Sequence, residues 1–135
     1  MGILIRKPGI LTTVQDLGRT GFRRFGINPN GVMDTAAART INIALGNDEN
    51  AAVLEMHFPA PEIEFHNHTT FALGGADFGA EVDGKAISNW RTVDAKKGAV
   101  LRFRSKVSGN RAYLAVKGGF DVDGWLGSKS TNLVA

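Results

Sequence analysis

The chain has no cysteine. That excludes disulfides, thiolate metal sites and a cysteine nucleophile. It agrees with a reducing cytoplasm without requiring one. The amino-terminal run GILIRKPGIL is too short and too interrupted for a signal peptide or a membrane span, so neither is expected. Charge of one sign is scarce. The formal net charge is +3 and the pI about 9.5, a surplus that slightly favours anionic partners but is too small and too scattered to argue for nucleic acid. No linker, repeat or low-complexity stretch interrupts the chain. At 135 residues, 43% hydrophobic and 21% charged, it has the length and composition of one globular domain with a real core.

What is there is concentrated in Leu11–Asp34, LTTVQDLGRTGFRRFGINPNGVMD, which holds four glycines, three arginines, two acids and a glutamine. Elsewhere apolar and polar residues mostly alternate, as in strands. Here the alternation stops. Gly18, Gly21, Gly26 and Gly31 permit unusual backbone angles, and Pro29 fixes φ. Long irregular loops inside compact domains are usually functional or disordered, and the charged and aromatic residues favour function.

Around this stretch the pattern is mostly β. Strands are expected at Gly2–Arg6, Ile10–Val14, Ala52–Met56, Glu62–Phe65, Thr70–Leu73, Val100–Arg104 and Arg111–Val116. Ala80–Val82 and Lys85–Ile87 flank Asp83-Gly84, a two-residue hairpin signal. One helix is expected over about residues 34–45. Asp34 is its N-cap, Ala38, Ile41 and Leu45 share a face, and Gly46-Asn47 stops it. Many short strands with close-spaced turns argue for a barrel or sandwich carrying one helix. Asp121–Ala135 opens a new loop, and no apolar element follows GSKST to close the fold. This reads either as a chain cut partway through a larger protein or as a frayed tail.

Several clusters can carry chemistry. Gln15-Asp16-Leu17-Gly18-Arg19 can form a polar pocket in which Gln15 bonds an amide, Asp16 acts as base or orienter, and Arg19 clamps an anion through its fork. It can equally be a turn in which Asp16 caps backbone N–H groups and pairs with Arg19. Arg19, Arg23 and Arg24 lie beside Phe22 and Phe25, as an anion site or as a solvated edge over core aromatics. Ser128, Lys129, Ser130 and Thr131 have the composition of a phosphate cradle but not the order of a P-loop. His66 and His68 face one side of an extended segment, yet no third ligand is near, and a surface turn is the better reading. No metal site is expected. Gly74-Gly75-Ala76-Asp77 follows a strand, either as a turn or bulge or as a close backbone approach to a ligand. Glu55, if buried, needs a partner such as an arginine.

KPGILTTVQDLGRTGF, GVMDTAAARTINIALGNDENAAVLEM, LGGADFG and RAYLAVKGGFDVDGWLGSKST occur in that order across nearly the whole chain. Together they resemble the biotin-dependent carboxyltransferase family. Its members are variously called the C subunit of 5-oxoprolinase, KipI antagonist (KipA), allophanate hydrolase subunit 2 and the urea amidolyase-related domain. The resemblance implies a cyclophilin-like β-barrel, with these residues as the amino-terminal half of a longer two-domain cytoplasmic protein. It implies a partner protein of the KipI type, the B component of a 5-oxoprolinase. In a 5-oxoprolinase the assembly opens 5-oxoproline to glutamate using ATP. In urea carboxylase the equivalent region transfers a carboxyl group from carboxybiotin to urea, and a KipA-type member antagonises an inhibitor of a sensor kinase. Both chemistries act on a small amide-like substrate. Gln15, Asp16 and Arg19, at matching positions, suit such a substrate and are the candidate catalytic residues, with Asp34, Ser128, Ser130 and Thr131 as the candidate substrate-binding residues. An apolar face exposed where the other half belongs predicts self-association into homo-oligomers.

Overall fold

The computed structural model describes residues 2–7, 9, 12–15, 34–120 and 132–133. In chain order the elements are β1 (Ile3–Lys7), β2 (Thr12–Gln15), α1 (Thr35–Ala44), β3 (Val53–Met56), β4 (Glu62–Phe65), β5 (Thr69–Asp77), β6 (Ala80–Val82), β7 (Lys85–Ala86), β8 (Thr92–Ala95), β9 (Val100–Phe103), β10 (Ser108–Val116) and β11 (Asn132–Leu133). The mostly-β class with one helix is as expected. All recorded strand pairings are antiparallel, in two sheets ordered β11-β1-β4-β9-β6-β7 and β2-β3-β10-β5-β8.

Period-two alternation builds the core between the sheets. Ile3, Ile63, Phe65 and Leu101 of the first sheet meet Leu54, Met56, Phe71, Leu73 and Leu114 of the second. Phe65 stacks on Phe71 across the gap at 5.0 Å between centroids. The opposite face of the first sheet is polar. There Arg6 faces Glu64, Arg102 holds Glu62, and Arg104 faces Glu81. Leu101 and Phe103 take the core side of β9, and Arg102 and Arg104 the solvent side, as their alternation requires.

The second sheet is covered twice. Its outer face packs against α1 through Ala37, Ala38, Ile41 and Leu45, which meet Val53, Ala72, Tyr113 and Ala115. β10 therefore reads as a continuous buried run from Ala112 to Val116 rather than an alternating one. Asp34 caps α1: its Oδ1 accepts from the Ala37 N–H at 3.0 Å. Gly46, at φ 75°, ends the helix in the left-handed region. Asn47 then fastens that end to the sheet. Its Nδ2 donates to Asn42 Oδ1 (3.0 Å) and to the Val116 carbonyl (2.8 Å), and its Oδ1 accepts from the Gly118 N–H (2.9 Å).

Some boundaries depart from expectation. β8 was hidden because Thr92–Ala95, TVDA, has only one large apolar residue. β5 runs on through Gly74-Gly75-Ala76-Asp77, which is strand with an irregular register against β10 and not a turn. β10 starts at Ser108, three residues before Arg111. An element does follow GSKST: Asn132–Leu133 pairs with β1, Leu133 opposite Ile3. Two residues are too few to show a periodicity, so only the backbone pairing reveals them. The Asp83-Gly84 hairpin is present, with both residues at positive φ (49° and 84°). Among the described residues no helix is long and apolar enough to cross a membrane.

Candidate functional site

The α1 side of the second sheet carries a polar row. The register sets Thr13 of β2 opposite Glu55 of β3, Glu55 opposite Tyr113 of β10, and Tyr113 opposite Gly74 of β5. α1 lies over the half of this face nearer Val116, and its amino terminus ends above Tyr113. Tyr113 Oη accepts from the Asp34 N–H (3.0 Å) and donates to Glu55 Oε2 (2.8 Å). Helix start, central strand and neighbouring strand are thus tied through one hydroxyl.

Glu55 is 7% exposed and Tyr113 fully buried. A buried carboxylate needs donors, and Tyr113 supplies one. The Tyr113 phenol is pushed up to about 12. Burial is the main cause, the hydrogen bond to Glu55 the next, and the charges of Glu55 and Asp34 add to it. Tyr113 therefore stays neutral at physiological pH and acts as a fixed donor rather than a base.

Gly74 leaves room for an aromatic cover. A Cβ there would stand 2.8 Å from Trp90 Cζ3 and 2.9 Å from Ile41 Cγ2. Trp90 lies on this face, 50% exposed, with φ at 70°. Its N–H donates to the Leu73 carbonyl (2.7 Å), and Asn89 Nδ2 donates to the Ala76 carbonyl (3.0 Å). Arg111 lies in the same strand two residues before Tyr113, where β10 slips register against β5. Arg111 Nε is buried and has no hydrogen-bond partner among the described residues.

Of the residues singled out from sequence, Asp34 is in place as a cap, and its backbone N–H also joins the Tyr113 link. Gln15 ends β2 opposite Val53, beside the strand that carries Glu55. Asp16, Arg19, Arg23, Arg24, Ser128, Ser130 and Thr131 lie outside the described residues. His66 and His68 diverge to different carboxylates, Glu64 (3.6 Å) and Asp94 (3.7 Å). Among the described residues no group of three or more acids and histidines is placed to hold a metal. Sequence reading missed Tyr113, Arg111 and Trp90. The two-residue spacing of Arg111 and Tyr113 in RAYLAV was the available signal.

The family model for the carboxyltransferase domain, subdomains A and B, matches residues 25–135. The chain belongs to this carboxyltransferase-domain family. It is 43% identical to the C subunit of 5-oxoprolinase from Escherichia coli K12 over 130 residues, 96% of this chain and 42% of that protein. It is 39% identical to urea amidolyase of Saccharomyces cerevisiae, over 96% of this chain and 7% of that protein. The crystal structure of the Kluyveromyces lactis urea amidolyase superposes with a TM-score of 0.83 at 35% identity, over 96% of this chain and 8% of that one. This carboxyltransferase-domain chain thus spans less than half the length of each of these relatives.

Proposed function

We propose that this carboxyltransferase-domain chain is part of an ATP-dependent 5-oxoprolinase, working with a KipI-like partner, the B component of that assembly, to open 5-oxoproline to glutamate. The observation that carries the reading is the 43% identity to the C subunit of a 5-oxoprolinase over 42% of that protein, a far larger share than for urea amidolyase. In this reading the chain supplies one half of a longer cytoplasmic protein, and the Glu55–Tyr113–Asp34 row lies beneath the substrate. Gln15, Asp16 and Arg19 serve in this reading as amide-binding, proton-handling and anion-holding groups. Asp34, Ser128, Ser130 and Thr131 complete the substrate contacts.

ATP would act at the level of the assembly. The described residues do not fit its phosphates. The one helix amino terminus among them, that of α1, is already occupied by the Asp34 carboxylate, which would repel a phosphate.

A second reading, a carboxyltransferase part acting on urea with carboxybiotin, is favoured by the similarity to urea amidolyase. The test is turnover. The chain in its full-length protein, purified together with its partner proteins, is given 5-oxoproline and ATP, and glutamate is measured. ATP-dependent glutamate release is expected. No glutamate, with bicarbonate-dependent consumption of urea by a biotinylated assembly, would overturn the first reading in favour of the second.

A further inference from the structure

We propose that Arg111 is a carboxylate clamp, and that it holds the acid group of a small ring-shaped ligand lying between Arg111 and Trp90. The proposal deepens the 5-oxoprolinase reading and rests on it for the identity of the ligand, but not for its class.

Arg111 stands apart from every other cation among the described residues. All the other described lysines and arginines are exposed, and water satisfies them. Arg6, Arg102 and Arg104 have carboxylate partners as well. Arg111 alone is half-buried, with its Nε sealed from solvent and without an acceptor, and no carboxylate lies within ion-pair distance of it among the described residues. A guanidinium has five donors in a rigid fork, and a buried one left unpaired is costly. The fork matches a carboxylate in two parallel hydrogen bonds.

The backbone is shaped for this side chain. β10 slips register against β5 between Ser108 and Ala112, so that extra residues crowd into the strand just where Arg111 leaves it. Bulges of this kind re-aim side chains. Two glycines permit it. A Cβ on Gly75 would lie 2.6 Å from the Arg111 carbonyl, and one on Gly109 would lie 2.8 Å from the Ala76 Cβ. Gly75 has φ 78° and Gly109 φ 79°, where other residues are strained.

The aromatic wall comes from the same strand step. Trp90 covers Gly74, the residue before Gly75, with half its surface in solvent. A positive φ is an outlier for so bulky a residue, and such strain persists where the surroundings enforce it, often at ligand clamps. A flat ring offers a ligand a stacking surface. Within the 5-oxoprolinase reading, 5-oxoproline supplies both parts: a small ring to lie against Trp90 and a carboxylate for the Arg111 fork. Urea has no acid group and leaves the fork empty.

The experiment measures binding to the full-length protein, purified together with its partners, by calorimetry, with three probes. These are 5-oxoproline, 2-pyrrolidinone (the lactam without the acid) and cyclopentanecarboxylate (the acid without the lactam). Arg111→Met should weaken both acids at least tenfold and leave 2-pyrrolidinone within twofold. Arg111→Lys, which keeps the charge and loses the fork, should weaken the acids by a smaller factor. Both variants should melt no lower than the parent, because no internal bond is removed. If Arg111→Met fails to fold, the Arg111→Lys comparison decides by the same selectivity for acids. Unchanged affinity for both acids, or equal loss of all three probes in the folded variants, overturns the clamp. Arg111-dependent binding of cyclopentanecarboxylate without turnover of 5-oxoproline would keep the clamp and remove the 5-oxoprolinase reading. Turnover with an unchanged KM in Arg111→Met would do the reverse.

Discussion

Tyr113 is the residue on which the α1 side of the molecule turns, because its hydroxyl is both donor and acceptor and both bonds are used. Removing the hydroxyl in Tyr113→Phe leaves the Asp34 N–H without its acceptor and takes a donor from a buried carboxylate. Hydrogen bonds to charged groups contribute about 1.5–3 kcal/mol, so a loss of about 2–3 kcal/mol is expected in urea unfolding at pH 7. The pH dependence has a definite sign. The folded phenol is raised from 10.0 to about 12, so the folded state holds that proton more tightly. Its contribution is complete below pH 10 and is lost as pH rises from about 10 through about 12. At about 1.4 kcal/mol per unit, the rise from 10.0 to about 12 amounts to about 3 kcal/mol. The parent should lose its advantage over Tyr113→Phe across that window, as read from the difference between their unfolding curves. A constant difference from pH 7 to about 12 would show that the phenol is not perturbed.

At the scale of the element, α1 is held at both ends to one strand. Its start reaches β10 through Tyr113, and its end through the Asn42–Asn47 clasp, which also takes in the Ala51 carbonyl. A helix of ten residues is too short to persist alone, so its order comes from this packing. Asn47→Ala removes three bonds and leaves Asn42, fully buried, without the donor to its amide oxygen. A cost of about 2–3 kcal/mol is expected in thermal or urea unfolding. Asn47→Asp keeps the acceptor for Gly118 but sets a carboxylate against two oxygens, and should cost at least as much. A loss below about 0.5 kcal/mol in either variant would mean that the clasp contributes nothing beyond what water supplies. This element was also the most legible in the chain. Asp34, the Ala38–Ile41–Leu45 stripe and Gly46 are local signals, and each is where periodicity and capping chemistry put it. The site was much less legible. Glu55 draws notice in a strand by its charge, but its tie to Tyr113 crosses 58 residues, and only register reveals it. Arg111 and Trp90 become neighbours of the Gly74-Gly75 step through a bulge and a left-handed backbone, and neither leaves a mark on composition.

At the scale of the whole molecule, protection from solvent should fall outward from β10. This strand is central in its sheet, between β3 and β5, and is buried against the inter-sheet core on one face and α1 on the other. The β6–β7 hairpin is at the opposite extreme. It ends the other sheet, β7 is two exposed residues long, and no α1 covers it. The ion pairs on that sheet's outer face do little to offset this, since exposed pairs contribute only about 0–1 kcal/mol each. Local opening follows buried contact rather than the number of charges, and core strands open only with the whole fold. Hydrogen exchange followed by mass spectrometry should therefore show Ala112–Val116 exchanging last, with a rate that tracks global stability in denaturant. Lys85–Ala86 should exchange first among the described strands. Because α1 is fastened to β10 twice, its amides should slow together with those of β10, and Tyr113→Phe should release the first turn of α1 before the last. Uniform release of α1 in that variant, or α1 exchanging as fast as the β6–β7 hairpin in the parent, would show that the helix rests on the sheet without being tied to it.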